Sequence, residues 1–486
     1  MAAFSASRIA ILGVASEREY DEGVYLLSAR ALLAGHDLFV PVFSSQPPAF
    51  LETLALGMRL AGDSLETARL VVLGFALVAL GAVADIGRRI AGTWAAPAAA
   101  AALALSATFG DLAHVVEAET PAVATGLLSL CACLESRRRG WHRGWLLASG
   151  ALLALGALFK LIVIPLAAPL GLLLLLAPAA GEESVWKLDG PGRGMLGRIV
   201  TRSLVVAAGA LVVGLVPLLF YDASALYEQN VAFHFAKHDV YRLTVIGNLR
   251  RAAMHVLGDG VLTATAVAGA ALLLLRGRRL AALWLLAWAG LMLAAIATQA
   301  PLFWRHFVLL SPPLALLAGV AAALVAARLR PPVPAFLALA TIGLWTAVVV
   351  TRTLGPSKAM FPLLPRPSRQ PGPDYLHLAS RWIHDNTAPG EYVAGDDPIA
   401  VYMAGRQAPP GLCDTSGARI NSNSLTLQMA KQESATARVI VLRKNGRLSS
   451  LTGYVQWVHE NYRSLPSKVT GVDERRAVWV RRSPQR

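Results

Sequence analysis

The residues best suited to chemistry in this chain are acids placed beside a helix start. Residues 17–25 read Glu-Arg-Glu-Tyr-Asp-Glu-Gly-Val-Tyr, and Asp21 stands where a helical stretch begins. A helix following it would direct free backbone amides and the positive end of its dipole at the Asp21 carboxylate. A partly dehydrated carboxylate held in this way can act as a general base, and Glu22 stands next to it. Two cations are candidates for holding an anion. Lys160 lies in a turn between two apolar runs, and Arg305 lies at the end of another. An ionisable group among apolar runs costs on the order of a few kcal/mol and marks a functional candidate. The plainer readings are a solvated cap for the acids, a snorkelling lysine and a headgroup anchor.

The elements that must position these groups are apolar helices. The chain has 486 residues, 55% of them hydrophobic and only 15% charged, with a mean hydropathy of +0.52. So few charges do not suit a wholly water-exposed surface. Candidate spans, apolar runs near the roughly 20 residues needed to cross a bilayer, occur at 66–87, 91–110, 119–135, 145–159, 161–179, 203–221, 258–275, 280–300, 307–327 and 332–351. They are continuous rather than alternating, which predicts helices and not barrel strands. Met1–Ser16 reads as a short or truncated first helix, giving about eleven in all.

The net charge of +15 resolves into positions. Basic clusters fall at Arg88–Arg89, Arg137–Arg143, Lys187–Arg202, Arg276–Arg279 and Arg328–Arg330, in every second connection, which places those turns in the cytoplasm. The clusters hold 15 Lys and Arg, set against the five acids in or beside them (Asp85, Glu135, Glu182, Glu183 and Asp189), and residues 353–486 hold 18 against 10. The rest of the chain has 12 bases and 15 acids. A charge that would suggest nucleic acid in a soluble chain is therefore mostly a topology signal, and no nucleic-acid partner is expected. Residues 16–65, 111–118, 222–257 and the turns at Lys160 and 301–306 then face outward. In the first of these, Ser45 with Pro47 predicts a second helix start, so the loop reads as helices lying on the bilayer surface.

Three divisions follow: a membrane domain over 1–352, a Pro-rich linker over 353–373 and an extracytoplasmic α/β domain over 374–486. In the last, helices are predicted at Asp374–Asn386, Leu425–Lys431 and Tyr454–Tyr462. Strands are predicted at Glu391–Ala394, Arg438–Arg443 and Arg476–Arg482. The three cysteines, Cys131, Cys133 and Cys413, form neither a disulfide framework nor a metal cluster. The pair His234 and His238 is read as an interfacial polar face in preference to a metal site. Asp396, Asp397 and Asp414 are read as turn and cap residues.

Taken in order, Asp21-Glu22-Gly23-Val24-Tyr25, Ala31-Leu32-Leu33-Ala34-Gly35-His36-Asp37 and Gln46-Pro47-Pro48 resemble the first outer loop of the GT-C glycosyltransferases. The nearest types are the bacterial relatives of protein O-mannosyltransferases and of the lipid A aminoarabinose transferase. The acidic stretch Asp111–Glu119 before Thr120-Pro121 is similar to the family's second outer loop. Trp304-Arg305-His306-Phe307 before Ser311-Pro312-Pro313 is similar to its late Arg-Tyr pair.

The resemblance implies a polytopic α-helical GT-C fold in the bacterial cytoplasmic membrane. It implies inverting transfer of a sugar from a polyprenyl-phosphate donor to an acceptor hydroxyl on a glycan, lipid or protein. It assigns Asp21 as base with Glu22 in support, Glu119 as the second-loop acid, and Glu117 or Asp111 as alternatives to it. Tyr25, Gln46, Glu117 and His306 would contact substrate or acceptor. No cofactor is implied, and a divalent cation is permitted but not indicated. Independently of the family, loss of a lipid phosphate needs cations on the growing charge, for which Lys160 and Arg305 are the outward candidates. One departure is Gln46, where some relatives carry a donor-binding lysine. The rival expectation is a transporter or flippase of lipid-linked sugars, which would place charges in mid-span and break helices at matching points of two halves.

Overall fold

In a computed structural model of the chain, the described residues are 2–13, 20–179, 186–190, 194–241, 244–327, 375–443, 446–466 and 476–482. The predicted span 332–351 and the linker 353–373 lie outside them. The chain folds as two compact units. One comprises Met1–Ile11, Val72–Leu219 and Leu243–Ser368; the other comprises Leu12–Val71, Phe220–Arg242 and Arg369–Arg486. The first loop therefore groups with the C-terminal residues.

The first unit is built from the apolar runs. By length and composition, four helices among the described residues can cross a membrane: Leu65–Ala91, Met195–Leu219, Arg279–Ala297 and Trp304–Ala326. A fifth candidate is the pair Val245–Gly258 and Gly260–Leu275, bent by 91° at Asp259. The Asp259 carboxylate accepts from the Ala107 amide at 3.1 Å and so satisfies one of the free amides at another helix start. Two runs that read as single spans are broken. Residues 91–110 form Ala95–Leu105 and Ala107–Leu112, separated at Ser106, whose hydroxyl meets that of Ser311 at 2.8 Å. Residues 161–179 begin as a 3-10 turn over Leu161–Leu166, because Pro165 has no amide hydrogen for the helical ladder, and continue as Ala167–Leu174. The helices Glu119–Arg138 and Arg143–Phe159 are continuous.

Apolar helices in lipid gain little from burying one another's side chains, so close backbone packing and hydrogen bonds must hold them. The helices Arg143–Phe159 and Met195–Gly214 meet through glycines: a Cβ at Gly150 would collide with the Val206 carbonyl, and one at Gly209 with the Leu147 carbonyl. Ser129 and Ser149 exchange hydroxyl-to-carbonyl hydrogen bonds at 2.7 and 2.9 Å across the neighbouring pair. At one end of this unit Glu135 accepts from Arg89, Arg138 and Arg139 at 3.1, 2.5 and 2.5 Å, gathering two of the basic clusters around one acid.

The second unit holds the helices Tyr20–Leu33 and Ala49–Ala61 and a four-stranded sheet. Its strands are β1 (Val393–Gly395), β2 (Val439–Arg443), β3 (Tyr462–Leu465) and β4 (Arg476–Arg481), in the order β1-β2-β4-β3. β1 lies parallel to β2, with Val393 opposite Val439, and the other pairs are antiparallel. Ala394, Ile440, Leu442, Tyr454 and Trp479 are buried in one cluster with Leu412 and Leu425. Helices occupy Tyr375–Asn386, Leu427–Ser434 and Tyr454–Asn461, and β3 follows the last of these directly. The strand β3 has no counterpart in the sequence reading: its residues, Tyr-Arg-Ser-Leu, carry little β signal, and pairing with β4 defines it.

One local expectation is corrected. The second helix of the first loop starts from Pro48 without a side-chain cap, because Ser44 is turned onto the Gln46 carbonyl at 2.8 Å and Ser45 lies outside the first turn. The helix Tyr20–Leu33 is covered by other parts of its unit, with Glu22 to Ala29 and Ala31 all buried. Replacing Gly209 with Leu is expected to destabilise the first unit by about 1–3 kcal/mol through overpacking. A lowered thermal midpoint of the purified protein in detergent would register it, whereas an unchanged midpoint would show that the two helices can separate freely.

Candidate functional site

The sequence-predicted residues fall into one cluster in each unit. In the second unit, Asp21 and Glu22 occupy the first turn of Tyr20–Leu33, where backbone amides still favour a carboxylate. Glu22 is fully buried. Both of its oxygens accept from Arg69, from Nε and Nη2, each at 2.7 Å. Arg69 is 2% exposed, and its Nη1 donates to the Leu12 carbonyl at 2.8 Å. Two charges removed from water persist only when paired and fully hydrogen-bonded, and this bidentate fork meets that condition. With both oxygens occupied, Glu22 is poorly placed to accept a substrate proton. Arg69 was missed in reading the sequence, although a lone guanidinium four residues into an apolar run was the signal that could have found it.

Asp21 sits between two anchored neighbours and is half-buried. Tyr25 is buried with its ring edge-on to Phe50 at 5.0 Å, so it packs the loop. Gln46 donates from Nε2 to the Ser45 hydroxyl at 3.4 Å, and its amide and carbonyl close the turn with Ser44. His234 meets the Ser45 carbonyl at 2.9 Å. Asp396 is buried and accepts from the Arg443 and Leu448 amides at 3.1 and 2.8 Å, and Asp397 pairs with Arg443. Asp414 accepts from the Ser416 amide at 2.7 Å, and burial pushes its carboxyl above the usual range. A cavity of about 520 Å³ is lined by His36, Asp37, Glu52, Phe220 and Tyr221, with the Tyr221 hydroxyl donating to Glu52 at 2.6 Å.

In the first unit, the second-loop acids meet both candidate cations. Lys160 ends the helix Arg143–Phe159 in an extended conformation, which turns its side chain out of the helical row. Its ammonium donates to Glu119 Oε1 at 2.6 Å. Arg305, at the head of the 3-10 turn Trp304–Leu310, places Nε 3.1 Å from the same oxygen and donates from Nη1 to Glu117 Oε1 at 3.0 Å. Glu119 and Glu117 are buried, as is Lys160 at 7% exposure. Glu119 Oε2 is buried and has no hydrogen-bond partner among the described residues. Two acids and two bases thus share one dehydrated site, drawn from residues nearly 190 positions apart. His306 is buried beside it in sequence, edge-on to Phe303 at 5.5 Å. Among the described residues, no group of three or more His, Cys, Asp or Glu is arranged to hold a metal ion.

The fold comparison is specific. The chain superimposes on ArnT from Cupriavidus metallidurans bound to undecaprenyl phosphate with a TM-score of 0.63 at 16% identity, covering 99% of this chain and 97% of that one. The chain has the GT-C fold. The apo state of the same ArnT gives a TM-score of 0.59 at 17% identity over 94% of this chain and 92% of that one. The archaeal oligosaccharyltransferase AglB from Archaeoglobus fulgidus, in complex with an inhibitory peptide and a dolichol-phosphate, gives 0.51 at 13% identity over 95% of this chain and 72% of that one. Residues 45–196 match the family described as dolichyl-phosphate-mannose-protein mannosyltransferase, a stretch that contains Glu117, Glu119 and Lys160. No curated protein matches the sequence. The apolar helices and this fold make the chain a multi-pass membrane protein.

Breaking the Glu22–Arg69 pair from one side leaves a buried, unmatched charge. Arg69→Met should therefore cost about 3–5 kcal/mol of stability, and Glu22→Gln combined with Arg69→Met should restore much of it. Thermal midpoints of the single and double variants decide the matter; a double variant no more stable than the single one would mean that the pair does not hold the loop.

Proposed function

We propose that this GT-C chain transfers a sugar from a polyprenyl-phosphate donor to an acceptor hydroxyl at the outer face of the cytoplasmic membrane. The observation that carries the reading is the dehydrated meeting of Lys160 and Arg305 on Glu119 in a chain of this fold. The comparison proteins are transferases, and two of the structures carry a lipid phosphate, which favours chemistry over a transporter of lipid-linked sugars.

In this proposal the acceptor oxygen attacks the anomeric carbon from the side opposite the phosphate. The new C–O bond forms as the bond to the phosphate oxygen breaks, which inverts the anomeric configuration. Asp21 takes the acceptor proton, and the lipid phosphate leaves with an additional negative charge. Lys160 and Arg305 stabilise that charge in a site where water does not screen it. Glu119 holds both cations at one point, and Glu117 fixes the second arm of the Arg305 fork, so the cations need little reorganisation during reaction. Glu22 serves as the anchor beside the base. Tyr25 and Gln46 shape the first loop, and His306 borders the Arg305 turn. The acceptor is a glycan, lipid or protein hydroxyl at the membrane surface, and the C-terminal residues are extracytoplasmic.

The test is incubation of the purified chain in lipid with a panel of polyprenyl-phosphate sugars, with mass spectrometry for released polyprenyl phosphate. Asp21→Asn should insert normally and lower turnover by about a hundredfold or more, the range for loss of a general base. Full turnover in that variant would remove the base assignment. Arg305→Gln should raise the KM for the lipid donor; a change confined to acceptor kinetics would place Arg305 elsewhere.

A further inference from the structure

The helix that carries Asp21 is gripped along its length by residues nearly 400 positions later. At its start, the Tyr20 hydroxyl accepts from the Thr415 amide at 2.9 Å, meets the Thr415 hydroxyl at 3.1 Å and donates to Asp414 at 3.4 Å. Burial holds the Tyr20 phenol well above its usual range, so it keeps its proton and remains both donor and acceptor. The Arg447 guanidinium stacks on the opposite part of that residue, 3.5 Å from the ring centroid. One turn on, Gly23 lies against the backbone of Pro398 and Ile399 so closely that a Cβ would collide with the Ile399 amide nitrogen. Two turns further, Arg30 donates from Nη1 to the Tyr402 and Arg406 carbonyls at 3.0 and 2.9 Å. Its guanidinium also covers the Tyr402 ring at 3.8 Å and pairs with Asp63 at 2.6 Å.

The short helix Pro398–Met403 is the partner of Gly23 and Arg30, and the Asp414–Thr415 turn is that of Tyr20; Pro398 to Tyr402 are all buried. Three fixed points on one rigid rod remove its freedom to slide, to tilt and to rotate about its axis. Rotation matters most here. Successive side chains on a helix point about 100° apart, so the directions of residues 20 and 22 dictate that of residue 21. Tyr20 is held by Asp414 and Thr415, and Glu22 by Arg69, which leaves Asp21 one direction between them.

We infer that Tyr20, with the C-terminal segment Pro398–Thr415, is a positioning device for Asp21, so that the C-terminal part of the chain is a component of the catalytic machinery and not an appended binding domain. The inference rests on the reading of Asp21 as the base. Tyr20 acts through its neighbour and touches no reacting atom. A general base must lie within hydrogen-bond reach of the acceptor proton, and a displacement of about 1 Å can cost two orders of magnitude in rate. The donor, held by its phosphate, should not register the change.

The experiment compares wild type, Tyr20→Phe, Gly23→Ala and Asp21→Asn as full-length chains in lipid, measuring released polyprenyl phosphate per folded molecule. Tyr20→Phe retains the ring beneath Arg447 and removes only the hydroxyl, so it keeps the test valid if Gly23→Ala fails to fold. The expected result is a kcat lower by about tenfold or more in Tyr20→Phe with the donor KM unchanged. A loss explained wholly by a smaller folded fraction, or wild-type kcat in Tyr20→Phe beside an inactive Asp21→Asn, would overturn the inference while leaving the proposed function standing. Full turnover in Asp21→Asn would remove the function reading and this inference together.

Discussion

A guanidinium and a carboxylate both withdrawn from water are stable only while they face each other, and the first loop is organised around that requirement. Arg69 stands near the start of the long helix Leu65–Ala91, and Glu22 near the start of Tyr20–Leu33. Their bidentate contact ties the two helix starts together, and the remaining Arg69 nitrogen fastens the chain at Leu12. The burial of Tyr25 against Phe50 and the packing of Pro398–Met403 on the same helix add apolar contact around a charge pair that could not be left open.

The same rule operates in the first unit with a different outcome. Glu119 receives both Lys160 and Arg305, and the second arm of Arg305 is taken by Glu117. Charge is balanced within the cluster, which makes it tolerable in a dehydrated place. Glu119 Oε2 has no hydrogen-bond partner among the described residues, so the balance there is not saturated. Structural pairs such as Glu22–Arg69 use every acceptor, whereas this cluster retains polar capacity. That difference, more than burial alone, separates an anchor from a candidate site.

Much of this was legible in the residues. Runs of Leu, Ala and Val give helices because no other segment satisfies its own backbone among apolar surroundings, and the regular helices at 119–138, 143–159 and 279–297 follow the runs within a few residues. The break at Ser106 was not legible, whereas the one at Asp259 coincides with the start of the predicted run 258–275. The Ser106 break depends on a polar side chain finding a distant partner, Ser311. The candidate residues Glu119, Lys160 and Arg305 were visible as charges beside apolar runs, and their convergence was not. The burial of the Tyr20–Leu33 helix was also hidden, because its small and apolar residues, Gly23 and Ala29 among them, read as one face of a surface helix when its partner is unknown.

The sequence by itself determined the helical class, the positions of the apolar runs and the residue types available for acid–base and phosphate chemistry, since these depend on composition and on spacing within one segment. Only the tertiary structure decided which charges are partners. Arg69 could have paired with any of several first-loop acids, and its choice of Glu22 leaves Asp21 as the carboxylate not committed to that ion pair. The fixing of the Asp21 helix by Thr415, Ile399 and Tyr402 was likewise beyond any local reading, because close approach at a glycine and a hydrogen bond across nearly 400 residues come from packing and leave no periodic trace in the chain.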